Sequence, residues 1–256
     1  LMKLAFSSLA YPDLTLVDVV KRVSKLGYDA LELRVADDGR HLRPSYPIRE
    51  EDSAALREVE VSDLAAYARF SDNAAENERS MKLVEPLADI ASALGAFGIR
   101  VYAGNTSDFD ALAEALNSAG ELAGSRSIKV MVETHGPLLD KVSNLAKLLP
   151  KLRGVWILYD PANVIFAGGK HEEVFPVIRD KLAHVHVKDY VLRGNDRFFC
   201  APGQGVVPLA TIMDDLKKSG YKGYVSVEWE KMWHPEIPDA DSVLPGYRAY
   251  LKRWIG

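Results

Sequence analysis

Four short apolar segments in the second half of the chain each carry a side chain able to bind a metal ion. They read VMVETHG (Val130 to Gly136), WILYDPAN (Trp156 to Asn163), AHVHVKD (Ala183 to Asp189) and VSVEWE (Val225 to Glu230), and the groups are Glu133, Asp160, His186 and Glu228. Three carboxylates and one imidazole make an oxygen-rich donor set. It suits one divalent ion: Mn²⁺, Mg²⁺ or Co²⁺, with Zn²⁺ or Fe²⁺ also accommodated. Ligand distances of about 2.0–2.2 Å are expected. Crowded together without a cation, the carboxylates would repel one another and burial would raise their pKa values; a bound divalent ion removes both penalties.

The elements that must position these groups are strands. Each segment is short, apolar and rich in β-branched residues. Similar runs occur at Lys3 to Ser8, Ala30 to Val35, Val59 to Tyr67 and Ile99 to Gly104, and the last four strands are Lys129 to Thr134, Val155 to Asp160, Ala183 to Lys188 and Tyr224 to Trp229. Helical spacing separates them over Thr15 to Leu26, Asn77 to Phe97, Phe109 to Leu122, Leu139 to Leu149, Glu172 to Leu182, Pro208 to Lys218 and Ser242 to Trp254, with stops at Gly27, Gly98 and Gly220. The polar stretch around Pro44 and Pro47 reads as a loop over one end. Eight strand–helix units in 256 residues predict an α/β fold, a single (β/α)₈ TIM barrel spanning residues 1–256. A doubly wound sheet would want a glycine-rich turn after the first strand, and SSLAYPD has none.

Side chains alternate across a strand, so one parity faces the barrel interior. The valines of the last strand suit the helix-covered outside, which turns Ser226, Glu228 and Glu230 inward. The same reasoning turns Met131, Glu133 and His135, then Trp156, Leu158 and Asp160, then His184, His186 and Lys188 inward, and Ala183, Val185 and Val187 outward. All four ligand candidates thus fall at the C-terminal ends of strands, where barrel enzymes place their chemistry. His184 lies deeper and reads as a hydrogen-bonded core histidine.

A net charge of −4 without a basic run argues against a nucleic-acid partner. One cysteine, Cys200, excludes an internal disulfide and a cysteine-based zinc site, and fits a reducing cytoplasm. The chain opens almost directly on a strand, so neither secretion nor membrane attachment is expected.

The E-x-H, D-P-x-N, H-V-H-x-K-D and V-E-W-E segments, with GQG (Gly203 to Gly205) and WHPE, resemble the xylose-isomerase-like barrels. That group holds sugar isomerases, ketose 3-epimerases, and keto-inositol isomerases and dehydratases. The resemblance implies Glu133, Asp160, His186 and Glu228 as metal ligands and Glu133 and Glu228 as the catalytic acid/base pair. It also implies a small-molecule sugar or polyol as the partner and a homodimer. Departures from the pattern narrow the choice. His135 stands where xylose isomerase itself has a lysine, Asn163 where the 3-epimerases have a histidine, and Leu192 where they have a substrate-clamping arginine, with Arg193 one residue further on. Lys188 resembles the keto-inositol dehydratase and general isomerase branch. The apurinic endonucleases of the same barrel type need three zinc ions and a histidine-rich site, which six histidines and an acidic chain do not offer.

The expected reaction is proton transfer through an enediolate, as an isomerase or epimerase. The alternatives are a dehydratase, with Lys188 or His135 protonating the leaving hydroxyl, and a non-catalytic sugar-binding barrel. Substrate contacts are expected from His135, Lys188, Asn163, Glu32, Arg34 and Arg193. Glu32 and Arg34 share the inner parity of the second strand and can pair. Arg193 and Arg197 can bind a phosphate or carboxylate. GQG reads as a tight turn, and Trp229 and Trp233 as packing residues.

Overall fold

A computed structural model describes residues 1–255. Among the described residues ten strands are formed: β1 (Lys3–Ser7), β2 (Ala30–Arg34), β3 (Glu60–Phe70), β4 (Gly98–Ala103), β5 (Lys129–Glu133), β6 (Val155–Tyr159), β7 (Leu182–Val187), β8 (Asp189–Arg193), β9 (Asp196–Cys200) and β10 (Tyr224–Val227). Eight of them close a parallel barrel, in the order β1-β10-β7-β6-β5-β4-β3-β2, and β8 and β9 form a separate antiparallel hairpin. The barrel closes where Lys3 to Phe6 pair with Tyr224 to Val227. The expected (β/α)₈ TIM barrel is therefore the observed fold.

Local sequence sets the outer helices. In Leu16–Leu26, Val19, Val20 and Val23 are buried against the barrel, Thr15 caps the start by accepting from the Asp18 amide, and Gly27 ends it at φ 71°. The left-handed conformation costs glycine little, which is why the helix stops there. Among the described residues, no helix is long and apolar enough to cross a membrane.

Several expectations change. The long helix is Ala74–Leu94, capped by Asn73 and ended by Gly95 at φ 68°. Gly98, read as the stop, instead opens β4, where an added Cβ would lie 2.7 Å from the Lys129 carbonyl oxygen. Both glycines are needed, one for its φ and one for strand-to-strand approach. The Pro44–Pro47 stretch runs into a helix, Glu50–Leu56, which buries Leu56 and has three acidic residues in its first turn. The third strand extends to Phe70. The short helix Pro161–Phe166 and the β8–β9 hairpin went unread.

The interior has layers. Met131, Leu158 and Ala183, with Phe97 and Trp156, form an apolar plug distinct from the larger cluster that packs barrel against helices. Ala183, expected outside, joins this plug. The cause is one extra residue in β7: Ile157 pairs with Leu182, but Leu158 pairs with His184. Val185, Val187, Val225 and Val227 belong to the outer cluster, as their parity requires.

One carboxylate fixes the segment that follows β7. The Asp189 side chain accepts from the amides of Tyr190, Gly203, Gly205 and Val207 at 2.9–3.1 Å. Gly203 sits at φ 78°, and a Cβ on Gly205 would run into Asp189 and the Tyr190 carbonyl. The GQG turn is thus a backbone wrapped on a carboxylate. Gly205→Ala should destabilise the protein by about 1–3 kcal/mol through overpacking. Urea unfolding measures this, and an unchanged midpoint would show the turn to be far looser than drawn.

Candidate active site

Below the barrel mouth, a buried polar layer is built on β2, β3 and β7. Glu32 Oε2 accepts from His184 Nε2 at 3.0 Å and from His186 Nε2 at 2.8 Å. Asp63 Oδ1 lies 3.6 Å from His184 Nε2 and accepts from Ser62 Oγ at 2.7 Å. Burial, with Glu32 nearby, pushes the Asp63 carboxyl up to about 6 despite His184. His184 is therefore the hydrogen-bonded core histidine its depth suggested. Glu32, His184 and His186 lie close enough together to hold an ion, but their facing atoms already bond to one another.

Because Glu32 engages Nε2 of His186, Nδ1 points the other way, into the mouth. That nitrogen is buried and has no hydrogen-bond partner among the described residues. Around it stand Glu228 Oε2 at 3.5 Å, Asp160 Oδ2 at 3.7 Å and Glu133 Oε1 at 4.0 Å. Glu133, Asp160 and His186 each offer one ligand atom within 4.8 Å of the others. Glu228 stands outside that trio while facing the same nitrogen. The orphaned imidazole nitrogen and its three oxygens fit a divalent cation. The outward hydrogen bond from Nε2 to a carboxylate is the usual means of fixing a ligating histidine's tautomer.

Electrostatics agree with this fit. Burial opposes charge on His186, yet the carboxylates of Glu228, Glu32 and Asp160 around it together hold its pKa well above the ordinary value. Burial also opposes charge on Glu228, but His186 and Lys188 bring its pKa below normal. The cluster attracts positive charge, and Lys188 supplies some. Its Nζ donates to Asp160 Oδ2 at 2.7 Å, to Glu228 Oε2, and to Glu230 Oε1 at 2.7 Å.

Each expected contact residue has a definite place. Asn163 Nδ2 bridges Asp160 Oδ2 at 3.0 Å and Glu133 Oε1 at 3.3 Å. His135 lines the cavity, with its ring 5.0 Å from Tyr102. Glu32 and Arg34 do not pair: Glu32 turns down to the histidines. Arg34 turns to the rim, bonding Tyr67 Oη at 2.9 Å and Asp38 at 2.8 Å, with Trp233 on its guanidinium. Arg193 is exposed at the hairpin turn, stacked on Phe198, and is not brought to the site. Arg197 lines the cavity instead.

The sequence reading missed Arg100, which holds Glu133 Oε2 at 2.6 Å, and also Tyr102. The alternation of Ile99 and Val101 with Arg100 and Tyr102 in β4 was the available signal. Trp233 proves to be a cavity residue, while Trp229 is fully buried. The cavity holds about 230 Å³. A larger hollow of about 530 Å³ beside His41 and Arg43 lies off the barrel axis and contains none of the converged groups.

The family model described as a xylose isomerase-like TIM barrel matches residues 20–250. The chain belongs to this family. It is similar to the inosose dehydratase of Geobacillus thermodenitrificans, 24% identical over 167 residues, which covers 58% of this chain and 55% of that protein. The match therefore spans little more than half of the relative's length. Among solved structures, the probable 3-DHS dehydratase AsbF of Bacillus anthracis superposes with a TM-score of 0.81 at 18% identity, covering 98% of this chain and 99% of that one. The IOLI protein, solved with a zinc atom, gives 0.80 at 18% identity, with 100% of both chains covered. At such identities these structures show a shared fold alone.

A test follows from Lys188. Its ammonium occupies oxygens of Asp160 and Glu228 that also face His186 Nδ1. Lys188→Met should therefore bind Mn²⁺ about tenfold more tightly by calorimetry, since removing a like charge within a few ångströms is worth on the order of 1–4 kcal/mol. Weaker binding than wild type would contradict this arrangement.

Proposed function

We propose that this protein is a divalent-metal-dependent lyase that removes water from a keto-polyol. Glu133, Asp160, His186 and Glu228 would hold the ion. When bound, the cation supplies Lewis-acid polarisation of a substrate carbonyl.

The chain's own residues supply the proton chemistry. Glu228 takes the proton from the carbon beside the carbonyl. The electron pair left behind forms the new carbon–carbon double bond as the β-hydroxyl departs. Lys188 gives that hydroxyl a proton, so it leaves as water. The proton on Glu228 then passes to Lys188 along their existing hydrogen bond, which resets both groups. Arg100 holds Glu133 in place through their ion pair, and Asn163 ties Glu133 to Asp160.

The observation that carries this reading is Lys188, a buried ammonium held by three carboxylates at the cavity wall. Removing a hydroxyl as water requires a proton donor, and this cation is one. The names of the dehydratase relatives support the same reaction type. A second reading, epimerisation, is favoured by Glu133 and Glu228 both facing His186 Nδ1, since one could remove a proton and the other return it.

Glu133→Gln and Glu228→Gln should each lower turnover by about 10²–10⁴-fold. Lys188→Met should block water loss while deuterium from D₂O still enters the carbon beside the carbonyl. Mass spectrometry of products from candidate keto-polyols, incubated with the metal-loaded protein, separates the readings. A product one water lighter supports the lyase. Exchange and inversion without water loss in the wild type would replace it with the epimerase.

A further inference from the structure

The cavity wall contains a cation that the proposed reaction leaves unused. Arg197 projects from β9 and donates through Nη1 to Asn163 Oδ1 at 3.0 Å. Its guanidinium packs against three aromatic rings, with Phe166 at 4.4 Å, Phe199 at 5.6 Å and Tyr190 at 5.8 Å from the ring centres. Among the described residues no carboxylate forms an ion pair with it. Through Asn163 it is one hydrogen bond removed from Asp160 and Glu133.

The carboxylates of this cavity already have cations. Arg100 holds Glu133, and Lys188 holds Asp160, Glu228 and Glu230. Arg69 lines the same space and forms no ion pair among the described residues, and Arg34's carboxylate partner, Asp38, is exposed. A divalent ion would add still more positive charge. A neutral ring closing this cavity would strip water from Arg197 and give no counter-charge in return, which is costly.

We infer that the substrate carries a carboxylate and that Arg197 binds it, an inference that rests on the keto-polyol lyase reading above. Aromatic packing on the guanidinium leaves its in-plane N–H groups for the ligand, and a planar carboxylate matches that fork. The bond to Asn163 orients the fork beside the reacting end of the site. Arg197 is thus a specificity-determining residue that separates acidic keto-polyols from neutral keto-inositols.

The test uses two cyclic keto-polyols, one with a ring carboxylate and one without. Each is titrated calorimetrically into the metal-loaded protein and assayed for water loss. Wild type should bind the acid at least tenfold more tightly. In Arg197→Met the acid-to-neutral preference in KM should fall by about 10- to 100-fold, the range of a charge-assisted hydrogen bond. Arg197→Lys keeps the charge without the fork and should fall between them. Equal binding of both rings by wild type, or an unchanged preference in Arg197→Met, overturns the inference. Water loss from the neutral ring at the higher efficiency also overturns it but leaves the lyase reading standing. Selective binding of the acid through Arg197, with neither ring losing water, upholds the carboxylate site and overturns the lyase reading.

Discussion

Like-charge repulsion among buried carboxylates is the constraint on which the rest of the structure depends. Glu133, Asp160 and Glu228, all buried, converge on one imidazole nitrogen. Carboxylates do not remain charged and buried together unless positive charge is brought to them. The fold brings it from several directions: Arg100 from β4, Lys188 from the end of β7, and His186 itself. The same requirement makes the cluster receptive to a divalent ion, since one such ion answers several carboxylates at once.

The barrel beneath the cluster keeps that demand local. The apolar plug of Met131, Leu158, Ala183, Phe97 and Trp156 closes the lower end. Above it, Glu32 takes one nitrogen from each of two histidines. That shared acceptor turns His186 so that its free nitrogen meets the carboxylates. The geometry of the mouth therefore depends on Glu32 of β2, which lines the cavity and also holds a ligand candidate in place. On the other side, Asp189 gathers the amides of the turn after the hairpin, and so steadies the segment that carries Arg197.

The cavity combines two kinds of charge. Its floor is acidic and demands a cation; part of its wall is basic and lacks anions. A ligand with a polarisable carbonyl at one end and a negative group at the other satisfies both regions, and neither alone explains the lining. Aromatic rings make this separation workable, because Phe166, Tyr190 and Phe199 pack the Arg197 guanidinium without neutralising it.

The sequence by itself determined the alternation that makes a barrel. It also determined the inward parity of Glu133, His186 and Glu228, and most of the helix limits, because these depend on neighbours a few residues away. Only the tertiary structure decided which of Gly95 and Gly98 ends a helix and which lets two strands approach. It alone showed that β7 carries an extra residue and so drew Ala183 inside. Arg100 was legible in the parity of β4, but its role needed Glu133, thirty-three residues away, to be placed beside it. The choice of Arg197 over Arg193 turned on a hairpin whose local pattern is too short to read, and on aromatic partners drawn from separate segments. Local spacing fixes the face a side chain lies on. Its partner is chosen by closure of the chain, which sets together residues whose separation in sequence carries no signal of their contact.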